Sequence, residues 1–307
     1  MSTSPRLLGR ILNLHPSASD ATRVRQACAY LDLGNADHRR ELAPGVWQVT
    51  TPEQNLVVKL FFGPSAQDRL QLEVISCQQL SRMGAPVPAN SRPVIAELAI
   101  VRDWIPGKSL HHLLSSIDGA TPTHGATILR AWRDLTRALN QFYPRISSGR
   151  RTHARTLRTH EVRCVVEAVS ESFPRIVTED LAQLHKIVVD GDLSILPLDA
   201  SPTNLILGTS HASFIDLEIL GIDFEDWTLA KFLTATTPQN SSTMPSSLLN
   251  TAPGLTSARP RLEAAAALLL LAAGAGLWTN PVISPTTLAT VFPDNSDLTR
   301  RISASLV

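Results

Sequence analysis

Between residues 38 and 60, short apolar runs alternate with turn residues: Arg39 to Leu42, a Pro44-Gly45 turn, Trp47 to Thr50, a turn through Pro52 to Asn55, then Leu56 to Leu60. β-Branched and aromatic residues set between Pro and Gly punctuation predict three strands. After Gly63-Pro64 the period changes. Ser65 stands three residues before Asp68, a cap-like start that predicts a helix running to Met83 and stopping at Gly84. Leu72, Ile75, Gln79 and Leu80 recur along it at three-to-four spacing. Residues 94 to 105 read as strand again, closed by Ile105-Pro106-Gly107.

Further along, the periodicity is helical. Ile128, Leu129, Trp132, Leu135 and Leu139 make a broad apolar stripe over Ala126 to Phe142, and further helices are predicted near 160–173, 178–187, 224–234 and 261–278. Between them, Leu205 to Leu207, a turn through Gly208 to Ser210, and Ser213 to Ile215 predict a hairpin. The Ser/Thr/Pro-rich run from Thr234 to Ser257 predicts a long loop. The expected fold class is α+β with two lobes: a helical N-terminal extension over 1–37, a small mixed-sheet lobe over 38–105 and a mostly helical lobe over 106–307.

Composition narrows the function classes. The chain has 307 residues, 43% hydrophobic and 18% charged, enough apolar content to offset chain entropy in packed cores. With 28 Lys+Arg against 27 Asp+Glu it lacks the basic surplus of a nucleic-acid binder, and only a local cluster, Arg150, Arg151, Arg155 and Arg158, departs from neutrality. No nucleic-acid partner is expected. The cysteines, Cys28, Cys77 and Cys164, are too scattered for a disulfide framework or a zinc site, and a reducing, cytoplasmic location follows. Ala264 to Trp278 is uncharged but rich in Ala and Gly and starts from Arg259, Pro260, Arg261 and Glu263, so it reads as a buried core helix; no membrane partner is expected.

Asp199-Ala200-Ser201-Pro202-Thr203-Asn204 gives D-x-x-P-x-N, and twelve residues after Asn204 comes Ile215-Asp216-Leu217-Glu218. A side-chain amide and a carboxylate at adjacent strand ends suit Mg²⁺, which takes oxygen ligands and usually binds through one or two protein groups plus substrate phosphates. Asp199, on the loop before, suits proton acceptance from an attacking hydroxyl.

These motifs resemble those of the aminoglycoside phosphotransferase and choline kinase group of protein-kinase-like enzymes. That group pairs D-x-x-P-x-N and an I-D-[FW]-E segment with a strand lysine followed by a helix glutamate. Here Leu56-Val57-Val58-Lys59-Leu60 offers the lysine, and Glu73, fourteen residues on, its partner. The resemblance implies that Lys59 holds the α and β phosphates of ATP, that Glu73 fixes the ammonium, and that Arg102-Asp103-Trp104-Ile105-Pro106-Gly107-Lys108-Ser109-Leu110 is the interlobe hinge. The backbone of Asp103, Trp104 and Ile105 would then meet adenine. It further implies Asp199 as catalytic base and Asn204 with Asp216 as Mg²⁺ ligands.

The sequence departs from the group's pattern in three places. Pro197-Leu198 replaces the His-Gly that precedes the catalytic aspartate; the turn Ala43-Pro44-Gly45-Val46 carries one glycine; and Thr228-Leu229-Ala230 stands for Asp-Leu-Ala. Asp190-Gly191-Asp192-Leu193 imitates H-G-D-L, yet Pro197 stands where an Asn is required, so Asp199 is the better base. Glu218 reads as a loop-positioning carboxylate, and His111 and His112 as solvated helix-start residues. The expected activity is ATP-dependent, Mg²⁺-dependent transfer of a phosphoryl group to a hydroxyl of a small molecule of the aminoglycoside, choline-like, sugar or amino-alcohol kind. The alternative is a pseudokinase that binds nucleotide or acts as a scaffold without turnover.

Overall fold

The computed structural model describes residues 20–33, 38–114, 122–143, 147–209, 211–235, 259–277 and 297–306. The predicted loop lies outside them beyond Ala235, as does the N-terminal extension before Asp20. The chain forms two compact units, one running to Pro106 and including Ser213–Ile219, the other made of Gly107–Ala212 and the residues from Leu220 on.

The first unit is built on a five-stranded antiparallel sheet of order β1-β2-β3-β5-β4, with β1 His38–Ala43, β2 Val46–Thr50, β3 Asn55–Leu60, β4 Arg92–Val94 and β5 Ala99–Asp103. The strands predicted from residues 39 to 60 stand as read, whereas 94–105 is interrupted by a single turn of 3₁₀-helix, Ile95–Glu97, that ends on Leu98 in the left-handed region at φ 46°. Helix α1, Asp20–Tyr30, closes one face of the sheet with Val24, Ala27 and Cys28 against Leu56, Val58, Ala99 and Val101. The opposite face receives helix α2, Ala66–Arg82, through Leu70 and Val74 on Phe61 and Ile100.

Helix α2 begins directly after Ser65 as predicted, but the Ser65 side chain makes no capping hydrogen bond. Its buried stripe is Leu70, Glu73, Val74, Cys77 and Leu80, while Ile75 is exposed. The expected stripe through Leu72 and Ile75 is thus rotated by about one residue, and the rotation turns a carboxylate, Glu73, into the sheet. The helix ends at Gly84, whose φ of 77° suits a residue without a Cβ.

The second unit carries the helices: α3 Leu110–Leu114, after the two-residue strand β6 Lys108–Ser109, then α4 Pro122–Phe142, α5 Ser148–Ser172 and α6 Thr178–Val189. The helix predicted near 160–173 is longer than expected, and two strands were not predicted. Helix α5 starts at Ser148, twelve residues before the 160 predicted, and its first turns are polar on all sides; Ser147 caps it by accepting from the Arg150 N–H. Strands β7 Leu193–Pro197 and β10 Leu220–Phe224 form an antiparallel pair that short apolar runs broken by Pro and Gly do not reveal. Strand β8 Leu205–Leu207 pairs with β6, and β9 Ala212–Phe214 carries the chain into the first unit.

Helix α7, Glu225–Ala235, packs on α8, Arg259–Gly274, in which Leu262 to Ala272 are buried without a break; α9, Asp297–Ser305, follows. The Ala/Leu-rich segment is therefore a core helix, and among the described residues no helix is long and apolar enough to cross a membrane. Thr228 lies inside the first turn of α7 rather than at its cap, and Asp226 bonds Arg261 Nε at 2.9 Å.

Candidate functional site

Strand alternation decides which side chains meet α2. Lys59 pairs with Ile100 and Val57 with Arg102, so Lys59 and Arg102 project from neighbouring strands to the same face of the sheet, the face covered by α2. Glu73 stands there, fully buried, and receives both cations: Lys59 Nζ donates to Oε2 at 2.8 Å and Arg102 Nη1 to Oε1 at 2.8 Å. The Lys59–Glu73 pair expected from the motif is present, and Arg102, only 3% exposed, is a second partner that the sequence reading passed over as part of the hinge. The available signal was the period-2 pattern of β5, which sets a charged residue among Ala99, Ile100 and Val101.

Lys59 is also held from the segment Ser213–Ile219. Asp216 Oδ1 accepts from Nζ at 2.5 Å, and Glu218 Oε2 lies 3.2 Å away without the alignment of a hydrogen bond. Asp216 has φ 69°, a left-handed conformation that Asp tolerates better than most residues and that carries the chain sharply out of β9. Glu218 in turn accepts from Arg69 Nη1 of α2 at 3.0 Å, so its expected loop-positioning role rests on an ion pair with both Lys59 and Arg69. Three carboxylates and three cations, Glu73, Asp216 and Glu218 against Lys59, Arg102 and Arg69, form one connected network.

Burial alone would lower the Lys59 ammonium's pKa, but the Glu73 and Asp216 carboxylates outweigh it and hold the pKa above its ordinary value. Lys59 is therefore cationic at neutral pH. The oxygens of Glu73, Asp216 and Glu218 lie within 4.8 Å of one another, a spacing that could hold a metal ion, yet here the Lys59 ammonium is the cation they share. Cys77, one turn after Glu73, is pushed up to about 12, first by burial and then by Glu73, and stays a neutral thiol.

The turn between β1 and β2 is held by Gly45 at φ 73°: its carbonyl accepts from Leu60 N–H at 2.8 Å, its N–H donates to Glu41 Oε1 at 3.3 Å, and a Cβ there would strike the Phe62 ring. At the end of β5, Asp103, Trp104 and Ile105 are half-buried. The Trp104 N–H donates to Asn55 O at 3.0 Å, and Asp103 accepts from Asn90 Nδ2 at 2.5 Å. The Trp104 donor is thus already committed.

In the second unit, Asp199 is exposed just past the end of β7. The loop after it is fixed by Ser201, whose carbonyl accepts from Asn204 N–H at 2.9 Å and whose hydroxyl accepts from Thr203 N–H at 3.4 Å, closing the 3₁₀ turn Pro202–Asn204. Asn204 Nδ2 donates to the Asp199 carbonyl at 3.1 Å, which ties the first and last residues of D-x-x-P-x-N and turns the amide oxygen away from that bond. These bonds order the loop in a chain that has Pro197-Leu198 before Asp199. Asp192 sits at the far end of β7, 3.6 Å from Arg261 Nη2, and His111 and His112 are exposed at the start of α3.

No protein-family model matches the sequence, and no curated protein is significantly similar to it. Solved structures do match over nearly the whole chain. The ethanolamine kinase of Plasmodium vivax has a TM-score of 0.52 at 11% identity, over 98% of this chain and 93% of that one. A choline/ethanolamine kinase family protein of Mesorhizobium loti gives 0.51 at 15% identity, over 94% and 98%. An amicoumacin kinase in complex with AMP-PNP, Ca²⁺ and its substrate gives 0.51 at 11%, over 98% and 96%. At such identities the likeness is one of fold: the chain shares the two-lobed, protein-kinase-like α+β fold of these small-molecule kinase structures.

Proposed function

We propose that the protein is a small-molecule kinase, which moves the γ-phosphoryl group of ATP to a hydroxyl of an aminoglycoside, choline-like, sugar or amino-alcohol acceptor. The observation that carries this reading is the buried Lys59, fixed by Glu73 at 2.8 Å and kept cationic, with Asp216 at 2.5 Å. A lone buried ammonium would be costly, and one held by carboxylates on one side is a preformed partner for a polyanion on the other. Lys59 would bind the α and β phosphates, trading Asp216 for phosphate oxygens while Glu73 keeps it in place. The fold neighbour seen with AMP-PNP and Ca²⁺ supports nucleotide use with a divalent ion.

Asp216 and Asn204 are the proposed Mg²⁺ ligands, both being oxygen donors of the kind Mg²⁺ takes. Asp216 gives Oδ1 to Lys59, and Oδ2 is the oxygen proposed for the metal; Asn204 spends its Nδ2 on the Asp199 carbonyl, and its Oδ1, which accepts from Thr203 Oγ1 at 3.4 Å, is the other oxygen proposed. The ion, when bound, would neutralise charge on the phosphates. Asp199 would accept the proton of the acceptor hydroxyl as its oxygen bonds to the γ-phosphorus and the bond to the β,γ-bridging oxygen breaks, the electron pair leaving with ADP. With Trp104 N–H committed to Asn55, the N–H of Ile105 is the hinge donor proposed for adenine, beside the Asp103 carbonyl.

The test is incubation with ATP, Mg²⁺ and a panel of aminoglycosides, amino alcohols and sugars, followed by mass spectrometry. The expected result is one acceptor gaining a single phosphoryl group and losing that gain with Asp199→Asn. ATP binding without consumption across the whole panel would favour the pseudokinase reading.

A further inference from the structure

The arginine cluster noted in the sequence is not absorbed by the nucleotide chemistry. On α5, Arg151, Arg155 and Arg163 recur at intervals of four and eight residues, which puts them along one side of the helix. They line, with His160 and with Asp192 and Leu193 at the start of β7, a concavity of about 860 Å³, within the usual range for a small-molecule site. Asp199 lies past the opposite end of β7, five residues or roughly 16 Å along the strand. The concavity is therefore separate from the proposed base.

Its positive charge is only partly compensated among the described residues. The ion pairs of α5 belong to Arg158, with Glu161 and Asp223, and to Arg163, with Glu167 at 3.7 Å; Arg151 and Arg155 have no carboxylate within ion-pair distance among the described residues. The one carboxylate lining the concavity, Asp192, is drawn on by Arg261 at 3.6 Å. Arg155 is anchored: it donates to the carbonyls of Val189 at 2.6 Å and Gly191 at 3.1 Å and lies over the Phe224 ring at 5.4 Å. Arg163 Nη2 is 2.8 Å from His160 Nδ1. Thr152 and Thr156 donate their hydroxyl protons to carbonyls of their own helix, so the donors that face a ligand are guanidinium and imidazole groups together with the Thr159 hydroxyl.

We propose that this concavity is a binding site for a phosphate-bearing small molecule, held by Arg151, Arg155 and Arg163. Planar guanidinium groups pair bidentately with phosphate oxygens, and a phosphate dianion matches the two guanidiniums, of Arg151 and Arg155, that have no carboxylate within ion-pair distance among the described residues. The site is independent of the kinase reading and stands or falls on its own.

Inorganic pyrophosphate is the probe, applied to the full-length protein in the Lys59→Ala background so that the nucleotide phosphate site is disabled. Calorimetry and thermal stabilisation are expected to show saturable binding there, weakened at least ten-fold by Arg151→Ser combined with Arg163→Ser. Both side chains are exposed, so these changes spare the fold, whereas Arg155 is left alone because it holds two backbone carbonyls. No saturable pyrophosphate binding, or binding that the double substitution leaves unchanged, overturns the proposal. Citrate, similar in charge but without phosphate geometry, is expected to bind more weakly; equal affinity for citrate overturns the phosphate assignment.

Discussion

Arg102 donates to Glu73 Oε1 at 2.8 Å, on the carboxylate whose other oxygen holds Lys59. Glu73 is fully buried, and two cations are what make its charge tolerable there. The arrangement also means that Glu73 does not depend on Lys59 for its position: when Lys59 turns to another anion, Arg102 remains. Replacing Arg102 by Met is expected to lower stability by about 1.5–3 kcal/mol, the range for a lost hydrogen bond to a charged group with one cation still in place. Urea unfolding measures it, and a change below about 0.5 kcal/mol would show that Arg102 is dispensable to the network.

For the proposed transfer, Asp199→Asn is expected to lower kcat by roughly 10²–10⁴-fold with little change in the KM for ATP, because the proton acceptor is lost while the phosphate partners stay. The Asn side chain preserves the shape of the loop, which is held through the Asp199 backbone carbonyl. Steady-state kinetics on a phosphorylated acceptor decide it; an unchanged kcat would remove Asp199 as the base.

Asp223 gives a pH prediction. Burial raises its carboxyl pKa despite Lys231 at 3.9 Å, Arg158 at 3.6 Å and the Phe224 N–H at 2.8 Å. The folded state therefore binds this proton more tightly than the unfolded chain does. The resulting stability is complete below the ordinary carboxylate pKa of about 3.9 and is lost as pH rises through the raised value. Across that window, the stability of wild type relative to Asp223→Asn should fall with rising pH. Glu225 and Asp226, raised in the same direction, are common to both proteins and cancel. Denaturant titrations at a series of pH values test it, and a difference that is flat or rises with pH contradicts it.

The thiols separate by environment. Cys28 and Cys77 are buried, with burial raising both thiols, while Cys164 is exposed. In the native protein a disulfide-exchange reagent at neutral pH should titrate one thiol per chain, Cys164, and all three after denaturation. Rapid native reaction of three thiols would mean that the α1 and α2 faces of the sheet do not close as described.

The sequence carried much of this site because its parts are local. Lys59 sits in the five-residue run Leu56 to Leu60, Glu73 in a helix bounded by Ser65 and Gly84, and Asp199 to Asn204 in a six-residue turn, each legible from period and punctuation. What stayed hidden is set by pairing across the chain. Arg102 reads as a hinge residue until the β3–β5 register puts it beside Lys59, and Ile75 reads as core until Glu73 is seen to face the sheet. The β7–β10 pair is missed because strands of five residues with Pro or Gly carry too little period to outweigh their neighbours. Helix α1 acquires its meaning from the apolar sheet face that its Val24, Ala27 and Cys28 cover, which no local pattern states.

The central claim, that the Lys59 network is a polyphosphate site, is tested most directly by calorimetric titration of ATP with Mg²⁺ into wild type, Lys59→Ala and Asp216→Asn. Lys59→Ala is a fair variant because Arg102 still neutralises Glu73. The account predicts binding by wild type and at least ten-fold weaker binding by each variant, with the Asp216→Asn protein also losing most of its Mg²⁺ dependence. Absence of ATP binding by wild type, or equal affinity in all three proteins, would contradict it.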